Sequence, residues 1–301
     1  MTAAATLLAD VRGTVARDAP LADLIWFRCG GRADLLFRPA DEADLAEALA
    51  SLPADVPVFP LGVGSNLIVR DGGVRGVVVR LPKAFARVAI EGRRIRAGGG
   101  ALGITVASAA RDAGIAGLEF LRGIPGTVGG AVAMNAGAYG REVADILVEA
   151  RLVLRDGRIE TWPRARLGFG YRESAVPEGA VVVEALFEGA PGDPAAIAAE
   201  MDRIAAEREA SQPLRSRTGG STFRNPPGQK AWALIDRAGC RGLRLGGAMV
   251  SEKHANFLLN TGGATASELE ALGEEVRARV KAATGVELRW EIVRVGEPPC
   301  G

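Results

Sequence analysis

The sequence predicts an α+β protein with more than one domain. Helical and strand-like patterns follow one another without the strict strand–helix–strand alternation of a doubly wound sheet. With 301 residues, of which 48% are hydrophobic, the chain is long enough to bury two or three cores. A cluster of breaking residues, Pro191-Gly192-Asp193-Pro194, then precedes a long helical pattern. We therefore expect a domain boundary near residue 195.

In the first two thirds of the chain, short strands are expected beside two helices. Residues 41–50 have the pattern of a helix with Asp41 as its N-cap and an acidic first turn. A second helix is expected at 102–113, after a hairpin that turns at Glu91-Gly92. Asp156-Gly157, a favoured type I′ pair, predicts another hairpin over Ala150–Trp162. Buried strands are expected at 56–59, 67–69, 74–81 and 181–187.

The last third begins with the long helix. Asp193 is its expected cap, Pro194 its first residue, and the apolar positions are Ile197, Met201 and Ile204. A second helix is expected at 229–238, and a third starts at Ser267, which forms a capping box with Glu270. Strands are expected at Phe257–Asn260 and Val286–Val295.

Composition excludes several classes of protein. The formal net charge of +1 gives no electrostatic reason to expect a nucleic-acid or membrane partner. No stretch approaches the roughly 18 apolar residues of a membrane span. The N-terminal residues lack the basic and apolar regions of a signal peptide. Cys29, Cys240 and Cys300 are odd in number and widely spaced, so we expect reduced thiols and a cytoplasmic location.

The single histidine, His254, limits the chemistry further. It excludes a multi-histidine metal site, and the cysteines lack the CxxC spacing of structural zinc, so no metal is expected. A Ser-His-Asp hydrolase would need His254 as its base, but the chain has no GxSxG motif. His254 is more typical of a hydrogen-bonded structural histidine than of a base. Proton transfer must therefore depend mainly on other residue types.

Two glycine-rich segments predict close contact with a ligand. Residues 123–140, GIPGTVGGAVAMNAGAYG, contain six glycines and no charged residue. Glycine is entropically costly to order, so such a cluster indicates that something approaches the main chain closely. A shorter segment of the same kind, PLGVGSN, occupies residues 60–66. Together they indicate a phosphorylated ligand held by main-chain N–H groups, although a glycine turn explains PLGVGSN alone equally well.

A third glycine motif, GGGALG at residues 98–103, matches the dinucleotide fingerprint GxGxxG only superficially. The preceding residues 93–97, RRIRA, are basic and alternating. The first strand of a Rossmann unit is instead apolar, because both of its faces are buried. We therefore interpret this motif as a tight turn. No Walker A motif is present.

Three further segments combine polar groups, and each has an ordinary structural explanation. Residues 218–226, TGGSTFRNP, place Ser221 beside a flexible glycine pair, with Arg224 and Asn225 able to hold phosphate or carboxylate, but taken alone the segment is better explained as a surface loop. Residues 170–174, GYRES, are compatible with a surface ion pair. By strand alternation Glu291 shares a face with its neighbours at 289 and 293, which indicates a solvated strand face.

In combination these motifs resemble one family, the UDP-N-acetylenolpyruvoylglucosamine reductase (MurB) flavoproteins of bacterial cell-wall synthesis. Their order and spacing agree over nearly the whole chain, and the length is similar to the shorter class without a tyrosine-loop insertion. The matching segments are FRCGG at 27–31, PLGVGSN at 60–66, GIPGTVGGAVAMNAGAYG at 123–140, GYRES at 170–174, QPLRSRTGGSTFRNP at 212–226, HANFLLN at 254–260 and the terminal LRWEIVRVG.

The resemblance implies an FAD-binding module of the vanillyl-alcohol-oxidase (PCMH) type, followed by a C-terminal α+β substrate-binding domain. We assign residues 1–85 and 86–194 to the two FAD-binding subdomains and 195–301 to the substrate domain. FAD is expected to bind non-covalently. The implied cofactor contacts are Leu61, Gly62, Val63, Gly64, Ser65, Asn66, Gly123, Ile124, Pro125, Gly126, Gly130, Asn135 and Gly137.

The implied reaction has two halves. NADPH gives a hydride to FAD, and reduced FAD then delivers it to C3 of the enolpyruvyl group of UDP-N-acetylglucosamine enolpyruvate, yielding UDP-N-acetylmuramate. By resemblance Arg172 and Glu291 stabilise the enolate and Ser221 donates the proton to C2, with Glu291 protonated and near the substrate carboxylate or enol. Tyr171, Arg224 and Asn225 match substrate-contact positions. We expect a monomer or a weak dimer.

Two other functions are compatible with parts of the pattern. A flavin oxidase of the same fold would often attach FAD covalently through His or Cys, but His254 lies in the expected substrate domain and a serine acid serves no purpose in an oxidase. A non-catalytic nucleotide-sugar sensor would be expected to lose Arg172, Ser221 or Glu291, and all three are present.

Overall fold

The computed structural model of the protein describes residues 7–299. Cys300 and the first six residues of the N-terminal segment therefore lie outside the described residues. The chain forms two compact units. Among the described residues, the first unit contains 7–17, 34–62 and 76–207, and the second contains 18–33, 63–75 and 208–299. The domain limits 85, 194 and 301 remain a prediction.

The elements mix helices and strands, as the sequence predicts. The helices are α1 (Glu42–Ser51), α2 (Gly103–Asp112), α3 (Val128–Ala133), α4 (Pro194–Ser211), α5 (Ala231–Arg237) and α6 (Ala266–Thr284). The strands are β1 (Thr14–Pro20), β2 (Arg32–Arg38), β3 (Val58–Pro60), β4 (Leu67–Val69), β5 (Val74–Val79), β6 (Val88–Glu91), β7 (Arg94–Gly98), β8 (Ile115–Ala116), β9 (Gly137–Ala138), β10 (Arg141–Glu142), β11 (Leu147–Val153), β12 (Ile159–Pro163), β13 (Val181–Glu188), β14 (Ala190–Pro191), β15 (Arg244–Leu245), β16 (Ala248–Val250), β17 (Leu258–Asn260) and β18 (Val293–Val295).

The first unit is organised by an antiparallel five-stranded sheet of order β12-β11-β13-β7-β6. Its central strand β13 contributes to two apolar cores: Val181 and Val183 to the core that contains α1, and Val182 to the core that contains α2 and α3. Opposite the step from Arg151 to Leu152 the pairing on β13 skips Val183. This bulge reverses the alternation, so that Ala185 joins Val182 in the same core.

The second unit is built around helix α6. Its apolar stripe, which includes Leu269, Leu272 and Val276, is fully buried. The short strands β15, β16 and β17 form one antiparallel sheet, and β18 pairs in parallel with β4. A further sheet, of order β1-β2-β5-β3, contains four strands.

Most of the expected elements are confirmed, and the caps of two helices are confirmed atom by atom. The Asp41 carboxylate accepts a hydrogen bond from Asp44 N, at 2.9 Å, at the start of α1. Asp193 accepts bonds from Ala195 N and Ala196 N, at 3.3 and 3.2 Å, at the start of α4. The turn interpretation of residues 98–103 is also confirmed, because β7 runs antiparallel to both of its neighbours, unlike the first strand of a Rossmann unit.

Three local predictions are wrong. At the β11–β12 hairpin only Gly157 has a positive φ, 83°, and Asp156 does not, so the connection is a three-residue loop rather than a type I′ turn. The capping box of α6 is formed by Thr265 and Glu268, not by Ser267 and Glu270.

The last strand is also shorter than expected. It is limited to Val293–Val295, so Glu291 lies before the strand and the alternation argument for its orientation does not apply. Helix α3, inside the glycine cluster, has no counterpart among the elements expected from the sequence.

One buried carboxylate fixes the entry to α1. Asp44 is 1% exposed, and its two oxygens accept main-chain hydrogen bonds from Arg12 at 2.7 Å, Gly13 at 2.9 Å and Ala40 at 2.8 Å. An aspartate on the buried side of a helix is unusual, and these three donors are what compensates its desolvation.

We expect Asp44→Ala to lower the free energy of unfolding by about 3 kcal/mol, because it leaves three partly buried N–H groups without their acceptor. Urea unfolding followed by circular dichroism measures the change. Glu47→Ala, at an exposed position of the same helix, serves as the control and should change stability by at most about 0.5 kcal/mol. Equal stability of the two variants would contradict the structural role of Asp44.

Candidate active site

The structure brings the two glycine-rich segments together in the first unit. A Cβ added to Gly62 would lie 2.7 Å from the Thr127 hydroxyl oxygen, which is closer than real Cβ contacts allow. Thr127 caps α3 by accepting a hydrogen bond from Gly130 N at 3.4 Å. Leu61, which precedes Gly62, is fixed because its N–H donates a hydrogen bond to Val79 O at 2.8 Å. The main chain of PLGVGSN thus begins directly against the start of α3.

Much of the glycine cluster is approached by the protein itself. A Cβ on Gly123 would lie 2.8 Å from the ring of Tyr139, whose hydroxyl donates a hydrogen bond to Ile204 O at 3.3 Å. A Cβ on Gly129 would lie 2.9 Å from Val182 O. Gly130 differs, since it is exposed and only Thr127 would come near its Cβ, at 3.6 Å. The open main chain of this segment therefore lies around the start of α3.

Arg172 occupies a strained two-residue turn. Gly170 and Glu173 exchange main-chain hydrogen bonds of 3.1 and 3.3 Å, with Tyr171 and Arg172 between them. The φ of Arg172 is 61°, in the left-handed region that residues with a Cβ seldom adopt. The Arg172 guanidinium carbon lies 4.9 Å from the centre of the exposed Tyr171 ring. The turn therefore presents an aromatic ring and a cation together.

Three side-chain bonds join this turn to the second half of the glycine cluster. Asn135 Nδ2 donates to Gly170 O at 2.9 Å, and Arg172 Nη2 donates to Gly137 O at 2.7 Å. Ser174 Oγ donates to Ala133 O at 2.7 Å. A Cβ on Gly137 would lie 2.9 Å from Arg172 Nη1, so this glycine leaves room for the guanidinium.

The Asn135 side chain bonds to the protein itself, whereas the sequence analysis expects Asn135 to contact FAD. Both ends of its buried side chain are engaged by the protein, because Oδ1 also accepts a hydrogen bond from Ala144 N at 2.9 Å. Because both ends of the side chain are engaged, the predicted cofactor contact of Asn135 can involve only its main-chain atoms.

The second unit contains the rest of PLGVGSN, and this part lies beside Glu291. Gly64, with φ of 65°, passes so close to the preceding segment that a Cβ would lie 2.5 Å from Leu24 O. Asn66 Nδ2 donates to Glu291 O at 3.2 Å, and Asn66 O accepts from Val293 N at 3.1 Å. A residue expected to bind the cofactor therefore anchors the main chain of a residue expected to be catalytic.

Ser221 and Glu291 lie on neighbouring stretches of main chain in the second unit. Glu291 N donates to Thr222 O at 2.8 Å, immediately after Ser221, and Ser221 pairs with Phe257 in an isolated antiparallel bridge. The side chains of Ser221 and Glu291 are both half-buried. The structure thus brings these two predicted residues together, while Arg172 belongs to the first unit.

Asn256 holds the Ser221 segment in place and was missed by the sequence interpretation. It is 4% exposed; its Oδ1 accepts from Phe223 N at 3.0 Å and its Nδ2 donates to Phe223 O at 2.8 Å. Its main-chain oxygen accepts from Thr222 N at 2.7 Å. The only signal in the sequence was its place in the HANFLLN motif.

His254 supports the same segment rather than offering a base. Its Nδ1 accepts a hydrogen bond from Asn256 N at 3.3 Å, which places the ring proton on Nε2. Its ring packs edge-on against Phe257, with centroids 4.7 Å apart. Burial lowers the pKa of His254, which favours the neutral ring that this bond requires. The expectation of a structural histidine agrees with these contacts.

The loop before Ser221 holds an unsatisfied polar group. The hydroxyl of Thr218, a residue 5% exposed, is the buried side-chain polar atom without a hydrogen-bond partner among the described residues. Beside it, a Cβ on Gly219 would lie 2.5 Å from the Phe27 ring. Further along, Asn225 Oδ1 accepts from Ala231 N at 2.9 Å at the start of α5, and Arg224 is half-buried.

Other site types find little support among residues 7–299. This part of the chain contains no group of three metal-ligating side chains close enough to hold an ion. None of its helices is both long and apolar enough to cross a membrane. Burial, followed by the nearby Asp71 charge, raises the pKa of Cys29 to about 12, so that its thiol is a poor nucleophile for a covalent flavin bond.

Two family models match the chain. Residues 33–162 match an FAD binding domain, and residues 212–295 match the C-terminal domain of UDP-N-acetylenolpyruvoylglucosamine reductase. The relative from Novosphingobium aromaticivorans that bears this enzyme name is 64% identical over 290 residues, covering 96% of this chain and 98% of that protein. The one from Sphingopyxis alaskensis is 65% identical over 298 residues, covering 99% of each.

Solved structures agree. The crystal structure of UDP-N-acetylenolpyruvylglucosamine reductase (MurB) from Thermus caldophilus has a TM-score of 0.82 and 35% identity, covering 95% of this chain and 99% of that one. A berberine bridge enzyme is similar with a TM-score of 0.50 and 14% identity, covering 64% of this chain and 44% of that one, which bears on the fold alone.

These comparisons confirm the expected fold class, an FAD-binding module of the PCMH type followed by a C-terminal α+β domain. They also show that the protein is an FAD-dependent oxidoreductase. With near-complete coverage at 64–65% identity, the chain belongs to the UDP-N-acetylenolpyruvoylglucosamine reductase family, which reduces a UDP-sugar enolpyruvate in peptidoglycan precursor synthesis.

Proposed function

We propose that the protein uses NADPH to reduce the enolpyruvyl group of UDP-N-acetylglucosamine enolpyruvate, producing UDP-N-acetylmuramate. The observation that carries this proposal is the Arg172 turn, in which a cation is held in a strained conformation by bonds from the glycine cluster. Strain of this kind persists where the surrounding structure enforces it, and such places are enriched in functional residues.

The residues present fit an FAD molecule held by main-chain groups. The segment from Gly123 to Gly137 carries no charged side chain, and its exposed part around Gly130 leaves bare main chain beside the Thr127 hydroxyl. Gly62 would keep the first part of PLGVGSN against this region. Main-chain N–H groups in such a cradle suit phosphate oxygens. We assign these residues, with the others expected from the sequence, to cofactor binding, Asn135 through its main chain only.

FAD held by these residues would supply the hydride chemistry, taking a hydride from the nicotinamide and giving it to C3 of the enolpyruvyl group. Negative charge then develops on the substrate carboxylate as an enolate. We assign Arg172 to this charge, because its guanidinium presents two parallel N–H donors to a carboxylate. Its bond to Gly137 O fixes one edge of the guanidinium before substrate arrives, so little reorganisation is needed during the reaction.

We assign the proton that arrives at C2 to the Ser221 hydroxyl. The main chain at and directly after Ser221 is fixed by the bridge to Phe257 and by the bonds of Thr222 and Phe223 to Asn256. A serine must be held accurately to act as an acid, since its own acidity is weak. Glu291, whose main chain is bonded beside Ser221, is assigned to the substrate carboxylate or enol.

The remaining assignments concern recognition and location. Tyr171, Arg224 and Asn225 are assigned to the UDP-sugar, and the unsatisfied Thr218 hydroxyl is a group that a bound ligand would satisfy. The thiols of Cys29 and Cys240 are unpaired and buried, which suits a reducing compartment, and we place the enzyme in the cytoplasm. We propose a monomer or a weak dimer that needs no nucleic acid or membrane.

We expect the purified protein to be yellow and to release FAD on denaturation. Under anaerobic conditions NADPH should bleach the flavin absorbance, and UDP-N-acetylglucosamine enolpyruvate should restore it, because the enolpyruvyl group accepts the hydride. UDP-N-acetylglucosamine, which lacks that group, is the control and should leave the flavin bleached. A colourless protein without FAD, or absorbance that does not return, would overturn the proposed function.

Ser221→Ala is expected to keep flavin reduction by NADPH and to slow reoxidation by substrate by about 10²–10⁴-fold, as loss of a positioned acid does. Stopped-flow absorbance separates the two half-reactions. Ser216→Ala removes an exposed hydroxyl of the same unit and should leave both rates unchanged. Normal reoxidation in Ser221→Ala would remove Ser221 from the acid role.

Arg172→Lys is expected to slow reoxidation by substrate about 10²-fold or more, because a compact ammonium cannot reproduce the planar pair of donors. Flavin reduction by NADPH should be retained. Arg158→Lys, which changes an exposed arginine in the β11–β12 hairpin, is the matched control. Unchanged reoxidation in Arg172→Lys would show that Arg172 is not at the enolate.

A further inference from the structure

Asn135 is the most completely enclosed polar side chain near the Arg172 turn. It is 0% exposed, and its φ of 44° places it in the left-handed region. Asparagine tolerates this conformation better than other residues with a Cβ. A buried amide in an uncommon backbone conformation has to be compensated by its hydrogen bonds. Those bonds indicate what the residue does.

The two bonds of Asn135 fix its amide in one orientation. Ala144 N–H can only donate, so it requires the carbonyl oxygen Oδ1, at 2.9 Å. Gly170 O can only accept, so it requires the amine Nδ2, also at 2.9 Å. A flipped amide would satisfy neither partner. Asn135 therefore connects the main chain of the 143–145 turn to the first residue of the turn that carries Arg172.

The three bonds to the Arg172 turn act at three different points. Asn135 holds the carbonyl of Gly170 at its entrance, Gly137 O accepts from the Arg172 guanidinium, and Ser174 Oγ holds its exit by bonding to Ala133 O. All three partners come from residues 133–137. The main-chain bonds between Gly170 and Glu173 close the turn, but the positive φ of Arg172 is strained, and the surrounding structure has to compensate for that strain. The position of the guanidinium depends on these anchors.

We propose that Asn135 is a positioning residue for Arg172: it fixes the turn from which the guanidinium reaches the substrate carboxylate, with Ser174 as the second anchor. This proposal rests on the proposed function, in which Arg172 stabilises the enolate. Asn135 itself need not touch substrate. A displacement of about 1 Å at a reacting group can cost on the order of 10²-fold in rate, so loss of one anchor is measurable.

Asn135→Asp tests the proposal with the smallest change of shape. Aspartate also tolerates the left-handed conformation, and one oxygen still accepts from Ala144 N, but the other opposes Gly170 O without a proton to donate. We expect flavin reoxidation by UDP-N-acetylglucosamine enolpyruvate to slow about 10–100-fold, while flavin content and reduction by NADPH stay within about twofold. As the pH falls, the introduced carboxyl gains a proton that it can donate to Gly170 O, and the rate should partly recover.

The same substitution in the Arg172→Lys protein distinguishes positioning from a general defect. If Asn135 acts through Arg172, the double variant should be little slower than Arg172→Lys alone. Multiplicative losses, or an equal loss in both half-reactions, would overturn the positioning role. Normal reoxidation in Arg172→Lys would instead overturn the assignment of Arg172, whereas a slow Arg172→Lys beside a normal Asn135→Asp would overturn only the present proposal.

Ser174→Ala provides a second variant should Asn135→Asp fail to fold. It removes the exit anchor from a less buried position, and we expect reoxidation by substrate to slow several-fold with flavin reduction unchanged. Ser51→Ala is the matched control, since Ser51 Oγ also donates to a main-chain oxygen, Ala48 O, at 2.8 Å, but in α1. Identical reoxidation rates in Ser174→Ala and Ser51→Ala would contradict the anchoring of the turn.

Discussion

The constraint on which the rest of the first unit depends is the close approach of neighbouring groups to bare main chain between residues 123 and 137. The Tyr139 ring, the Val182 carbonyl and the Arg172 guanidinium all lie where a Cβ would have to be displaced. Glycine allows this close approach, although ordering it costs backbone entropy. The segment can therefore form α3 and pack against the Arg172 turn. The glycine cluster, which in the sequence predicts a ligand, is therefore in large part packed against the protein itself, including the turn that carries the proposed catalytic residue Arg172.

Local signals in the sequence were reliable where local contacts decide the structure. Asp41 and Asp193 cap their helices because the donors are three residues away or fewer. The cap of α6 was misplaced by two residues because distant partners decide there. Ser267 Oγ donates to Asp71 at 2.6 Å, while Glu270 pairs with Arg70 at 3.0 Å, which leaves Thr265 as the cap. A single sequence does not show such competition over about 200 residues.

The residues of the candidate site also fall into two groups, those that the sequence predicts and those that only the structure shows. The motifs point to the residues proposed to react, Arg172, Ser221 and Glu291, since each belongs to a short segment of unusual composition. They did not show that Asn66 holds the main chain of Glu291, or that Asn256 clamps Phe223. An amide that bonds to distant main-chain groups leaves no periodicity or spacing in the sequence. The main-chain groups that such an amide bonds to are seen only in the three-dimensional structure.

Neutral amides hold the main chain beside the proposed reacting groups in both units. Asn135 uses both ends of its side chain to connect Ala144 and Gly170, and Asn256 bonds to both the N–H and the carbonyl of Phe223. Burial would shift the pKa of a charged residue at either position, and its charge would add an electric field at the proposed reacting groups. An amide supplies a donor and an acceptor with no net charge, so these supports add no charge of their own beside the residues proposed to react.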